Sequence, residues 1–185
     1  ARRALTLWRA GEKVLVVCHY VATGKVLRQV ISRMIRDEMI EIGAAKLHCP
    51  PDEVRKTLDR MGKLFDTDSP VRRACDEEVR SLLIAYPALS EHSDDLLDLC
   101  RKYLRTPSFL VRYFPLSGRH LDGESVRSAF AQPDGSGLSL GAILTGFFDF
   151  FERRCVSEER LHLLSAIQSV QTGVIAADEI QGEKR

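Results

Sequence analysis

The sequence has no excess of either charge: 27 Lys and Arg stand against 26 Asp and Glu, leaving a formal net charge of +1. No global field draws such a chain to nucleic acid or to an anionic membrane, so any binding of that kind has to use a local patch. No run approaches the roughly 20 apolar residues that a membrane-spanning helix needs, and the N-terminus has neither a signal-peptide core nor a starting Met. No membrane partner is expected, and the chain reads as a piece of something longer. The five cysteines (Cys18, Cys49, Cys75, Cys100 and Cys155) are odd in number and spaced too widely for a disulfide framework or a C-x-x-C zinc site, which favours a reducing, cytoplasmic setting. The five histidines never come within a helical turn of one another or of a cysteine, His48-Cys49 excepted, so no metal ligands are expected. Internal repeats and low-complexity segments are also missing.

What is present is an ordinary globular composition, 44% apolar and 29% charged over 185 residues, enough for one buried core. Its pivotal stretch runs from Gly11 to Leu47. Lys13 and His19 bound the apolar, β-branched run Val14-Leu15-Val16-Val17-Cys18, which predicts a strand buried on both faces. Thr23 then stands as an N-cap for a long amphipathic helix through Val26, Leu27, Val30, Ile31, Met34, Ile35, Met39 and Ile42. Strand, turn and helix make half a βαβ unit. A lone strand leaves both edges unsatisfied, so the run from Lys13 to His19 has to pair with strands outside this chain or with a second copy.

Upstream, Arg2 to Ala10 reads as a helix ended by Gly11. Downstream, Pro51 with Asp52 and Glu53 opens a helix, and Ser69-Pro70 opens another, which Pro87 ends. Ser90 or Ser93 starts a third, Thr106-Pro107 a short fourth, and a fifth is expected from Glu124 to Ala131 within the loose stretch Leu116 to Leu138. Ser139 caps a strongly apolar helix expected near the centre of the helical part, and Ser157 begins the last one. The fold class is therefore mainly α: one N-terminal strand-turn-helix unit and an array of about six or seven helices.

Ala22-Thr23-Gly24-Lys25 is not a P-loop, because His19 stands where its first Gly would be and Val26 where its Ser or Thr would be. A helix N-terminus with a small cap, a Gly and a cation still suits a phosphate, although the same residues also suit a plain cap and a solvated lysine. The string KVLVVCHYVATGKVLRQVIS resembles the opening of the second RecA-like lobe of superfamily 2 helicases and translocases, at motif IV. That resemblance implies a lobe opening at residues 1–48, a helical insertion at 49–172 and a frayed tail at 173–185. It implies DNA or RNA as partner, along with the remaining motor lobes, and places His19, Thr23, Gly24, Lys25 and Arg28 against phosphate. ATP and Mg²⁺ are expected in the intact parent, with no catalytic residue and no metal on this chain.

A second basic cluster, Arg101-Lys102-Tyr103-Leu104-Arg105 with Arg112-Tyr113-Phe114 and Arg119-His120, could track a phosphate backbone and stack a base, or could be a core with arginines on its rim. Acidic sets at Asp76-Glu77-Glu78 and at Asp94, Asp95 and Asp98 fit paired or solvated helix faces. The alternative to a motor fragment is a helical interaction or scaffold module that binds no nucleic acid. Neither a phosphate cradle nor an acidic Mg²⁺-binding strand is present, so the purified chain should release no phosphate from ATP, with or without nucleic acid. Turnover abolished by one substitution within the chain would contradict this.

Overall fold

The computed structural model describes residues 1–10, 15–116, 118, 120–133 and 137–165, and these are mainly helical. Helix α1 spans Arg2–Arg9, α2 Val21–Leu47, α3 Pro51–Lys63, α4 Pro70–Leu83, α5 Ser93–Leu104, α6 Pro107–Tyr113, α7 Gly123–Ala131 and α8 Leu140–Arg154. A 3-10 turn at Pro87–His92 links α4 to α5, and residues 157–165 are helical.

Most helix starts follow the local chemistry expected of them. Proline occupies the first turn of α3, α4 and α6, where its missing N–H costs nothing. The Ser69 hydroxyl accepts from the Arg72 N–H at 3.1 Å, Asp122 accepts from the Ser125 N–H at 2.8 Å, and Ser139 accepts from the Ala142 N–H at 3.1 Å. Each satisfies one of the donors a helix start leaves open. Pro87 opens the 3-10 turn rather than ending α4, and of the two candidate serines it is Ser93 that begins α5.

The expected strand is not formed in the described part of its range. Leu15 to Cys18 has no strand structure, and Leu15 and Val17 are 89% and 85% exposed. Lys13 and Val14 lie outside the described residues. The physical reason is that β-branched composition fits a pleated surface but supplies no partner, and the described residues offer no sheet for the run to join. Thr23 is likewise not the N-cap: the cap lies three residues earlier, at Tyr20, which is extended and makes no side-chain cap bond.

The core draws on residues from Leu47 at the end of α2 to Leu164 beyond α8, and α4 is at its centre, touching α5, α7 and α8. The apolar α8, expected at the centre, instead buries one side through Leu140, Phe148 and Phe151 and leaves Phe150 exposed. The stretch from Leu116 to Leu138 is not merely a loop: Leu116, Leu121, Val126 and Phe130 all enter the core. Arg160 is buried at the C-terminal end of α8. Its guanidinium donates to the carbonyls of Phe151, Cys155, Ala88 and Glu152 at 2.8–3.2 Å, neutralising a helix C-terminus that would otherwise present open acceptors. The tail at 173–185 lies outside the described residues.

Among the described residues, it is the C-terminal third of α2 that is rooted in the core. Gly43 and Leu47 are its buried residues, and Met39, Ile40, Ile42 and Ala44 pack on the core beside them. A Cβ on Gly43 would lie 2.6 Å from Val54 Cγ1, and Val54 is fully buried on α3. Gly43→Ala should therefore destabilise the chain by about 1–3 kcal/mol despite alanine's better helix propensity, because the valine is stiff in a helix and cannot yield. In urea titrations, adding Val54→Ala should make the double variant less destabilised than the sum of the singles by at least about 1 kcal/mol. Simple additivity would show that the two helices do not meet there.

Candidate nucleic-acid interface

The first half of α2 stands largely clear of the body. Val21, Ala22, Thr23, Lys25, Val26, Arg28, Gln29, Val30, Ser32, Arg33 and Arg36 are all exposed. Helix α1 joins α2 farther along through the ion pair between Arg9 and Glu38, and before the helix Cys18 lies against Gly24.

Within this arm the expected site residues separate. The helix period puts Lys25 and Arg28 on one face and Thr23 about 160° around the axis from Lys25. The Gly24 N–H donates to the Tyr20 carbonyl at 3.0 Å, so it belongs to the helix and is not open to an anion. His19 precedes the helix, is exposed, and packs edge-on against the Tyr20 ring with centroids 5.1 Å apart. Of the five expected residues, Lys25 and Arg28 are thus the pair of cations that share a helix face.

Two further cations extend that face. Arg33 and Arg36 follow Lys25 and Arg28 at helical spacing, all four side chains are exposed, and none makes an ion pair among the described residues. No carboxylate occurs between Val21 and Arg36. The periodicity could have revealed Arg33 and Arg36, but the turn at Thr23-Gly24 masks a signal that runs along the helix rather than sitting at its start.

The rival cluster is arranged in the opposite way. Arg101 holds both oxygens of Asp76 at 2.8 and 2.9 Å across α4 and α5, Lys102 holds Asp98 at 2.5 Å, and Arg105 is paired with Asp66. Arg112 donates to the Trp8 carbonyl at 2.9 Å and lies over the Tyr113 ring. Phe114 is buried against Phe65, and only Tyr103 of this aromatic group is well exposed. Arg119 lies outside the described residues, and His120 faces Asp122. Arg101, Arg105 and Arg112 link separate elements and Lys102 pairs within α5, so a phosphate backbone would have to displace a carboxylate at most of these cations.

No cluster of metal-ligating side chains occurs among the described residues. Asp76 is engaged by Arg101 and Arg72, and Glu77 by Arg127. Burial raises the thiol pKa of Cys100 to about 12 and pushes Cys75 still higher, so neither supplies a thiolate nucleophile. No protein-family model, curated protein or solved structure matches the chain.

The thiols give a direct check on the packing. Iodoacetamide at mildly alkaline pH should alkylate Cys18 and Cys155, which are half-buried, and spare Cys75 and Cys100 until denaturant is added. Early labelling of either α4 or α5 thiol in the native chain, read by peptide mass, would contradict the packing described.

Proposed function

We propose that this chain is the nucleic-acid-contacting helical part of an ATP-dependent helicase or translocase, with the ATP and Mg²⁺ sites carried by other segments of the parent protein. The observation that carries the reading is the cationic face of the α2 arm, Lys25, Arg28, Arg33 and Arg36, in a chain where Arg101, Lys102 and Arg105 are paired with carboxylates. Four cations with no carboxylate among them are matched to a polyanion, and a near-zero net charge does not weaken a local patch. The run Leu15–Cys18, without helix or strand structure and exposed at Leu15, Val16 and Val17, supports the same reading, since such a segment can add to a sheet edge supplied by a motor lobe. Exposed Tyr20, Val21, Val26 and Val30 favour the second reading, a helical module that docks on protein alone.

The two readings separate in a salt titration of the full chain with labelled oligonucleotides. Lys25→Ala with Arg28→Ala should weaken binding for every base sequence alike and flatten the slope of log affinity against log salt by about 0.7–0.9 for each phosphate no longer neutralised. Lys102→Ala should leave the slope unchanged. If the Lys102 change flattens it and the arm changes do not, the strand runs over α5. If the unaltered chain binds no oligonucleotide at low salt, the protein-docking module replaces the motor reading.

A further inference from the structure

We infer that the partner of the α2 arm is B-form duplex DNA, with the arm lying in the major groove. This rests on the nucleic-acid reading above and names its substrate class. Positions 25, 28, 29, 32, 33 and 36 recur at the three- and four-residue steps that define one helix face, and they are occupied by Lys25, Arg28, Gln29, Ser32, Arg33 and Arg36, all exposed. Every one is a cation or a neutral hydrogen-bonding group. From Lys25 to Arg36 the face runs about 16 Å along the axis.

The arrangement around the axis is as informative as the charge. Arg28 and Arg33 lie about 140° apart, on opposite edges of the face, while Lys25 and Arg36 lie near its centre line at the two ends. Arginines on opposite edges can reach the phosphates on both walls of a groove, and the terminal cations follow its floor. Gln29 sits between them, and a glutamine amide matches the adjacent acceptor and donor of an adenine edge. Because the flanking Val26 and Val30 are also exposed, no neighbour among the described residues blocks entry on that side.

Shape decides among the nucleic acids. A helix of about 10–12 Å diameter fits the B-DNA major groove, about 12 Å wide, whereas the A-form RNA major groove is too deep and narrow to admit it. Single strands are held by aromatic platforms on which bases stack, and this face carries no aromatic residue.

The test uses the full chain with a short labelled DNA duplex, the RNA duplex of the same sequence and the single DNA strand, followed by fluorescence anisotropy, together with dimethyl sulfate footprinting of the DNA duplex. The DNA duplex should bind about tenfold or more tightly than either competitor. Arg28→Ala and Arg33→Ala should each weaken it by about fivefold or more and flatten its salt slope by about 0.9. Gln29→Ala should leave the slope intact while reducing discrimination between A·T-containing and G·C-only duplexes. Methylation at guanine N7, in the major groove, should be suppressed, and methylation at adenine N3, in the minor groove, should not. Circular dichroism of the variants should match the parent chain, since all three side chains are exposed.

Protection of adenine N3 in place of guanine N7 overturns the groove assignment, as does equal or tighter binding of the RNA duplex. Tighter binding of the single strand, still dependent on Arg28 and Arg33, overturns the duplex inference and leaves the nucleic-acid reading standing. Absence of binding to all three probes removes both.

Discussion

The close approach of α2 to α3 at Gly43 is the contact on which the remaining architecture depends. With no side chain at that point, the α2 backbone can lie against Val54 at a distance that a Cβ would forbid, with Val111 beside it. That contact seats Leu47 in the core, and it brings Lys46 within 2.6 Å of the Val111 carbonyl at the end of α6. His48 then reverses the chain in a left-handed conformation at φ +49°, and Pro50-Pro51 starts the helix that closes the contact. Anchoring concentrated in one third of a 27-residue helix leaves the other end with little to pack on.

Charge is distributed according to the same division. In the body, Arg101 on α5 meets Asp76 on α4 and Arg105 at the end of α5 meets Asp66 beyond α3, so that these cations fasten neighbouring elements, while Lys102 pairs with Asp98 within α5 itself. Asp122 caps α7 through both the amide and the hydroxyl of Ser125, which holds its carboxyl below the usual range. On the arm the cations have been given no such task. A formal charge of +1 for the whole chain conceals this contrast, because sums over a sequence erase the pairing that decides which charges remain available.

Helix starts were legible residue by residue, since Ser69-Pro70, Thr106-Pro107, Ser139 and the acidic first turn of Asp52-Glu53 act through contacts within one turn. The strand was not, because Leu15 to Cys18 needs a neighbour that local composition cannot provide. The start of α2 was misplaced for a related reason: Thr23 looks like a cap, but Tyr20 in an extended conformation begins the helix equally well once Cys18 lies against Gly24. Of the candidate site, the sequence places Lys25 and Arg28 one turn apart on one helix face, Thr23 lies about 160° around the axis from Lys25, and Arg33 and Arg36 continue that face at the same spacing. The central place of α4 over α8 was also hidden, since hydrophobic content reports how much a helix can bury and not how many neighbours surround it.

A helix of 27 residues extends about 40 Å, and α2 crosses from free end to anchored end without a proline or a break in its bonding. Mechanically it is a cantilever. Load applied near Lys25 acts at a distance from its support, so a small force there becomes a large torque at Gly43, where backbone meets a fully buried valine and has no slack to absorb it. The turn at His48 and the seat on α3 therefore receive whatever the free end encounters, with the pivot set by the one residue in that stretch small enough to serve as a fulcrum.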